Sequence, residues 1–524
     1  MSRSAANTKA LTDTLVLTLV ALVLYLWQLG AVPLRDWDEG TIAQVARGLF
    51  RSGDWIYPIL DGAPYLNKPP LVEWLMATTY SVAGLSEWTS RLLPAAVSAL
   101  AVPLLYGVGR IAFGQRRSAL LSAGILLTLL PVVRHGRLAM RDGVAVTLFL
   151  ALLLCLLKSL QNRRYALGIG PALGLIVLTK GILALLLGAV AVAFGILHSL
   201  LAERKERTIS QLRNPYLWVG LVLGLLPAAL WYGAQIARYG ETYWQGHFLG
   251  QSFSRVVTVV ESHQGPPWYY LIELLELSWP WLLFWLPGLW LAWRQRRRVW
   301  AQLTLAGTVV YLGAISIMST KLPWYIMPLY PFVALAVGGY LGHRWQIGAK
   351  PPRWAVGFLG LIAIAGLGGG LYIGIAEGRP SLLLMGLLLG GSAGWATGQL
   401  WRGQWRWCWT LMAGLYATLL VLMGSNVWLW ELNEAFDVKP VAALVRSHVP
   451  DGVRVVTTFG YGRPSLDFYS DRTIPPVSDG TLVEQWETAA YALVLPEQLE
   501  VLPPHQILGE AAGLVLIQTL PKTD

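Results

Sequence analysis

Thirteen mostly apolar stretches alternate with short polar ones over the first 430 positions. They fall at about 11–30, 90–112, 118–134, 142–158, 165–180, 182–200, 215–237, 269–292, 299–318, 323–342, 354–376, 381–400 and 407–430. A helix needs roughly 20 apolar residues to cross the hydrocarbon of a bilayer, and each stretch meets or nearly meets that length. The pattern predicts an α-helical polytopic membrane protein of about 13 transmembrane helices. Only Thr179-Lys180-Gly181 separates the fifth span from the sixth, and fusing the two would move every later loop to the other side.

The first polar interval, 31–89, is long and patterned. Between Asp38 and Gly53, Ile42, Val45, Ala46, Leu49 and Phe50 share one helical face, with Gln44, Arg47 and Arg51 opposite. This reads as a short amphipathic helix of the kind that lies in a membrane interface. Gly53-Asp54 ends it, Pro58, Gly62-Ala63-Pro64 and Pro69-Pro70 punctuate an irregular stretch, and Glu73 to Ala83 fits a second short helix. Another long polar interval runs over 238–268. Beyond Leu432 the apolar period shortens: Val453–Phe459, Ala492–Leu495 and Leu514–Ile517 read as strands, with turn-rich sequence at Gly460-Tyr461-Gly462-Arg463-Pro464 and a helix over Asp437 to Val449. The division expected is a transmembrane part, 1–430, and a small soluble α/β domain, 431–524. The glycine-rich run Gly366–Gly370 lies inside a span, where small residues serve close helix packing.

Basic residues orient the spans, because loops on the cytoplasmic side collect Lys and Arg. With the N-terminus (Arg3, Lys9) inside, the inner loops hold Arg116 and Arg117; Lys158, Arg163 and Arg164; and Arg204, Lys205, Arg207 and Arg213. Later inner loops hold Arg294, Arg296, Arg297 and Arg298; Arg344, Lys350 and Arg353; and Arg402 and Arg406. Every dense cluster then falls on one side, and the intervals 31–89 and 238–268 and the tail 431–524 fall outside.

Composition agrees. The chain is 55% hydrophobic and 13% charged, with a mean hydropathy of +0.51, against about 25% charged residues in an average soluble protein. Many of the 26 tryptophans sit at segment ends, where interfacial belts place them. The formal charge of +11 is spread over inter-span clusters, so nucleic acid is not an expected partner, whereas membrane lipid is. Cys155 and Cys408 fall in or beside spans and predict no disulfide framework. The run Leu15 to Leu29 lacks a convincing small-residue cleavage site and reads as the first span, not a cleaved signal.

Candidate chemistry crowds the outer face. Asp36, Asp38 and Glu39 follow the first span directly, and carboxylates so near hydrocarbon are costly enough to mark function. Lys68, Arg134, His135, Arg137, Arg141, Asp142, Lys180, Arg255, His263 and Lys321 occupy other outer segment ends, a set that reads as one assembled site. Each has a plainer reading as well. Asp38 suits a helix N-cap, and Glu39 suits the positive end of a helix. Lys180 could snorkel to headgroups, and His263 could make a structural hydrogen bond. Lys68, before two prolines, is held extended, which suits a fixed phosphate contact.

Several motifs come in a set order: Trp37-Asp38-Glu39, Gly53-Asp54-Trp55, Tyr65-Leu66-Asn67-Lys68-Pro69-Pro70, Arg91-Leu92 and Arg137-Leu138-Ala139-Met140-Arg141-Asp142. Then follow Leu178-Thr179-Lys180-Gly181, His263-Gln264-Gly265-Pro266-Pro267-Trp268-Tyr269-Tyr270 with Pro280-Trp281, and Lys321-Leu322-Pro323-Trp324-Tyr325. Over roughly 10–345 the chain resembles the GT-C membrane glycosyltransferases, in the branch shared by lipid A aminoarabinose transferases and protein O-mannosyltransferases (glycosyltransferase 39/83-like). The resemblance implies transfer of a sugar from a polyprenyl-phosphate-linked donor to an extracytoplasmic lipid, glycan or protein acceptor, with inversion, at a bacterial plasma membrane. By position it implies Asp38 and Asp142 as catalytic acids and Lys68, Lys180, Arg255 and Tyr325 as the groups holding the donor phosphate. Asp36, Glu39, Asn67 and His263 are further candidate substrate contacts.

Two positions depart from the aminoarabinose branch. Asn67 stands where that branch has an acid able to bind metal, which weakens the case for a divalent ion, and Thr41 stands where it has an arginine. The sugar and acceptor are therefore left open. A transporter would place its ionisable residues near the midplane, and an anchoring protein would leave the acidic first interval unexplained.

Overall fold

The computed structural model describes residues 3–201, 212–259, 263–428, 437–459, 462–486 and 490–520. Arg204, Lys205 and Arg207 of the third basic cluster, and Gly460 and Tyr461 of the expected turn, lie outside the described residues. The chain divides into two compact units: 1–29 with 66–72 and 91–426, and 30–65 with 73–90 and 427–524.

The first unit is helical. Among the described residues of the chain, nine helices are long and apolar enough to cross a membrane. Two bent pairs, Arg116–Leu127 with Leu130–Arg137 and Tyr269–Leu277 with Trp281–Arg294, would bring the number to eleven. Two of the thirteen expected spans are shorter than their apolar stretches. The stretch 165–180 is a 3-10 turn, Arg163–Gly168, leading into a helix of 12 residues, Ile169–Lys180. At 1.5 Å per residue that helix rises only about 18 Å against a hydrocarbon core of about 30 Å. The stretch 407–430 forms a 17-residue helix, Trp407–Met423. The expected break after Lys180 is present: Gly181 takes φ +47° and a new helix, Leu183–Leu201, follows.

Close packing holds the short helix. A Cβ at Gly170 or Gly174 would run into the backbone of Gly220 or Gly224, so two small-residue pairs let it lie directly on Pro215–Tyr243. The run Gly366–Gly370 works the same way against Gly386 and Gly390. Several buried charges of this unit have partners within it. Asp13, buried in the first span, accepts two hydrogen bonds of 2.7 Å from Arg116 and one of 2.6 Å from the Tyr106 hydroxyl. The last carbonyls of that span and the turn after it receive Arg137 at Leu24 O (2.6 Å) and at Trp27 O, and Arg91 at Leu29 O (3.0 Å). Cations are favoured there by the helix dipole.

The second unit joins the first polar interval to the tail. A two-residue hairpin, β1 (Ile59–Leu60) and β2 (Ala63–Pro64), belongs to the former. The tail forms a four-stranded sheet from β3 (Val455–Thr457), β4 (Tyr491–Val494), β5 (His505–Ala511) and β6 (Leu514–Thr519), in the order β3-β4-β6-β5. β3 runs parallel to β4 and the remaining pairs are antiparallel. Alternate residues fill two cores. Val455, Leu493, Leu514 and Leu516 pack with helix Val438–His448 on one face, while Val456, Ala492, Val494, Val515 and Ile517 surround Trp486 on the other. The expected α/β tail is thus present, with one strand the sequence pattern did not reveal. β5 is irregular, its register shifting between Ile507 and Gly509, and its residues are mostly half-buried or exposed.

Candidate active site

Within the first unit, four of the predicted site residues come together. The segment 66–70 delivers Lys68, helix Ile169–Lys180 ends on Lys180, helix Arg141–Ser159 opens with Asp142, and the 3-10 turn Pro323–Leu329 carries Tyr325. Lys180 Nζ donates to Asp142 Oδ1 at 2.6 Å and sits 5.3 Å from the centre of the Tyr325 ring. Tyr325 is fixed in turn by the Tyr311 hydroxyl, which donates to its carbonyl at 2.7 Å. Among the described residues Asp142 thus serves as the ion-pair partner of Lys180.

Lys68 is different. It is half-buried, and among the described residues it has no hydrogen-bond or ion-pair partner. Burial lowers its ammonium pKa from the ordinary 10.5 to about 7, and the charges of Arg255, Lys180 and Arg141 push it the same way, against Asp142. Three further cations around one desolvated ammonium, with Asp142 close to Lys180, leave an excess of positive charge that a dianionic phosphate would satisfy.

A histidine that sequence reasoning missed fixes the Lys68 segment. His247, 2% exposed, donates from Nδ1 to the Leu66 carbonyl at 3.1 Å, so its Nε2 accepts from the Tyr232 hydroxyl at 3.2 Å. Its ring stacks on Tyr243, with 5.1 Å between centres and 6° between planes. Gly181 packs into the same corner: a Cβ there would lie 2.9 Å from Tyr232 Oη, 3.5 Å from His247 Nε2 and 3.9 Å from Pro69. Its φ of +47° also excludes most side chains. The main chain beside Lys180 and that beside Lys68 are therefore braced by one tyrosine–histidine pair. The only hint in the sequence is the aromatic cluster Tyr243-Trp244-Gln245-Gly246-His247-Phe248 at the end of a span.

Two other motif residues lie elsewhere in this unit. Lys321 caps a helix: buried, it donates to the carbonyls of Ile315 (2.8 Å) and Ser316 (2.7 Å). His263 is exposed and is tied to Lys321 through its carbonyl, which accepts from Lys321 N at 2.9 Å. Asn67 is exposed as well. Among the described residues no group of three or more His, Cys, Asp or Glu side chains is placed to hold a metal ion.

The second unit carries the acids, and they divide sharply. Asp36, 2% exposed, pairs with Arg463 at 2.6 Å and accepts from the Ser465 hydroxyl and amide. Glu39, fully buried, accepts from the Arg35 amide at 3.2 Å. Asp38 retains 22% exposure, with the Arg35 guanidinium 3.9 Å away. Nor is Asp38 an N-cap. The segment Asp36–Gly40 is a π-helical turn running straight into helix Thr41–Ser52, and neither start carries a side-chain cap. Arg47 and Arg51 of that helix bind Asp471 at 2.8 and 2.7 Å, and the Arg51 hydrogen bond holds the Asp471 carboxyl below its usual range.

Comparison with known proteins gives the family. The family model described as dolichyl-phosphate-mannose-protein mannosyltransferase matches residues 67–232. The undecaprenyl phosphate-alpha-4-amino-4-deoxy-L-arabinose arabinosyl transferase of Pseudomonas aeruginosa is 30% identical over 414 residues, 74% of this chain and 72% of the relative. The chain belongs to this arabinosyl transferase family. The enzyme of the same name from Pectobacterium carotovorum is 29% identical over 466 residues, covering 84% of this chain and 79% of that one. The crystal structure of ArnT from Cupriavidus metallidurans bound to undecaprenyl phosphate superimposes with a TM-score of 0.79 at 20% identity, over 97% of this chain and 98% of that chain. The oligosaccharyltransferase AglB from Archaeoglobus fulgidus gives 0.56 at 12% identity, over 94% and 70%. The fold is therefore the GT-C fold, and the protein is a multi-span membrane glycosyltransferase.

Proposed function

We propose that the enzyme moves a sugar from a polyprenyl-phosphate donor to an extracytoplasmic lipid or glycan acceptor with inversion. The observation that carries this reading is Lys68, a half-buried ammonium in the positive field of Arg255, Lys180 and Arg141. In this reading these cations and Tyr325 receive the donor phosphate, and Asp142 orients Lys180. Asp38, the accessible acid of the first interval, takes the proton from the acceptor hydroxyl. The new bond forms at the anomeric carbon as its bond to the phosphate oxygen breaks. The departing lipid phosphate gains negative charge, which preorganised cations stabilise.

The relatives are named for 4-amino-4-deoxy-L-arabinose, and that is the first sugar to test. Asn67 and Thr41 leave room for another. The mannosyltransferase model over 67–232 favours a second reading, transfer to protein. The basic clusters support a cytoplasmic N-terminus, with 31–89 and the tail outside. Purified enzyme incubated with a panel of polyprenyl-phosphate sugars should consume one of them and release polyprenyl phosphate. Release from none, in the presence of lipid, glycan and peptide acceptors, would reject the proposal.

A further inference from the structure

At the ends of the spans that bear the basic clusters, the first unit contains a cavity of about 340 Å³. Two turns between helices and the end of a third helix build it. Gln115 follows the helix ending at Phe113, Gln295 and Arg298 come from the link between Trp285–Arg294 and Val299–Ile317, and His343 and Gln346 close helix Tyr330–Gln346. Trp300 and Phe113, 5.4 Å apart, form an apolar wall. Gly339 lies directly against both rings, and a Cβ there would come within 2.9 Å of Trp300 and 3.0 Å of Phe113.

The polar lining is rich in donors. Gln295 accepts from Trp300 Nε1 at 3.3 Å and donates to His343 Nε2 at 3.4 Å, which puts the proton of a neutral His343 ring on Nδ1 as a further donor. Arg298 adds a guanidinium, and among the described residues no carboxylate lines the cavity. Such a site selects an anion. A second observation sets its depth. The helix leading into Gln295 carries Trp290 and Trp293, both more than half exposed, with Arg294 4.0 Å and Arg296 5.5 Å from their ring centres. Exposed tryptophans paired with arginines mark the headgroup level of a bilayer, and basic pockets between spans at that level take anionic headgroups.

We infer that this cavity binds the phosphate headgroup of an acidic phospholipid, through Arg298 and the amides around it. The inference needs only the membrane-spanning fold and is independent of the transfer reaction. Full-length protein in detergent would be titrated with phosphatidylglycerol, phosphatidylcholine or inorganic phosphate, and lipid retention followed by native mass spectrometry. Wild type should retain one phosphatidylglycerol in clear preference to phosphatidylcholine. Arg298→Gln, at an exposed side chain, should weaken that retention at least tenfold. Gln115→Leu should weaken it with Arg298 intact, while Arg402→Gln, a basic residue outside the cavity, should not. Equal retention of both lipids, equal loss in the Arg298 and Arg402 variants, or full displacement by millimolar inorganic phosphate would overturn the assignment, the last by making this a site for free phosphate.

Discussion

Replacing Lys68 with methionine should make the enzyme more stable and nearly inactive, a combination that a merely structural lysine cannot produce. The ammonium falls from an ordinary pKa of 10.5 to about 7 in the fold. The folded state therefore binds fewer protons than the unfolded chain between these values, and wild-type stability rises as pH climbs through that window. Below about pH 7 the full cost is present. It corresponds to roughly 5 kcal/mol as an upper bound, reduced by whatever solvent reaches the half-buried side chain. At pH 6.5, Lys68→Met should therefore melt several degrees above wild type in the same detergent, and its stability should lose the rise between pH 7 and 10. Donor use should respond in the opposite sense. If a charged Lys68 captures the donor phosphate, kcat/KM for the donor falls about tenfold per pH unit above about 7, while Lys68→Arg, charged throughout, gives a flat profile. Loss of the phosphate contact in Lys68→Met should cost about 100-fold or more in kcat/KM. A variant that melts lower than wild type, or one that keeps donor turnover, would refute the reasoning.

Asp38→Asn should leave a folded, membrane-inserted protein whose turnover drops about 100- to 10,000-fold, and near-normal turnover would reject Asp38 as the base. His247→Phe keeps the stacking on Tyr243 but loses the bond to Leu66. It should raise the donor KM with little change in kcat, and His247→Gln should recover part of the loss; equal effects on donor and acceptor would point to general misfolding. Asp467, buried in the second unit, has its carboxyl pKa raised by desolvation to about 7. Stability should accordingly fall as pH rises from about 4 to 7, because the folded state holds the proton longer. Asp467→Asn should flatten that dependence in thermal melts.

Much of this protein is written in one dimension. Apolar runs of bilayer length and basic residues between them are local properties, so the membrane class and the break at Thr179-Lys180-Gly181 were legible without coordinates. The amphipathic helix at Thr41–Ser52 showed in its period, since it buries one face, and three of the four tail strands showed as short apolar runs, since both of their faces are buried. β5 did not, because an irregular strand with few buried residues carries little alternation. Span lengths were less legible than span positions: Ile169–Lys180 stops at 12 residues because a 3-10 turn precedes it and Gly181 at φ +47° ends it.

The charges illustrate the remaining division. The family resemblance already set Asp38 apart from its neighbours Asp36 and Glu39. Folding supplies the physical difference, burying Asp36 against Arg463 and Glu39 against a backbone amide while leaving Asp38 accessible. Sequence likewise named Lys68, Asp142 and Lys180, but not that two of them neutralise each other while the third is left in a field of like charge. Composition and order along the chain determine which groups are available. Desolvation and partner choice depend on what packs within a few ångströms, and neighbours such as Arg463 for Asp36 and Lys180 for Asp142 lie tens to hundreds of residues away in the chain.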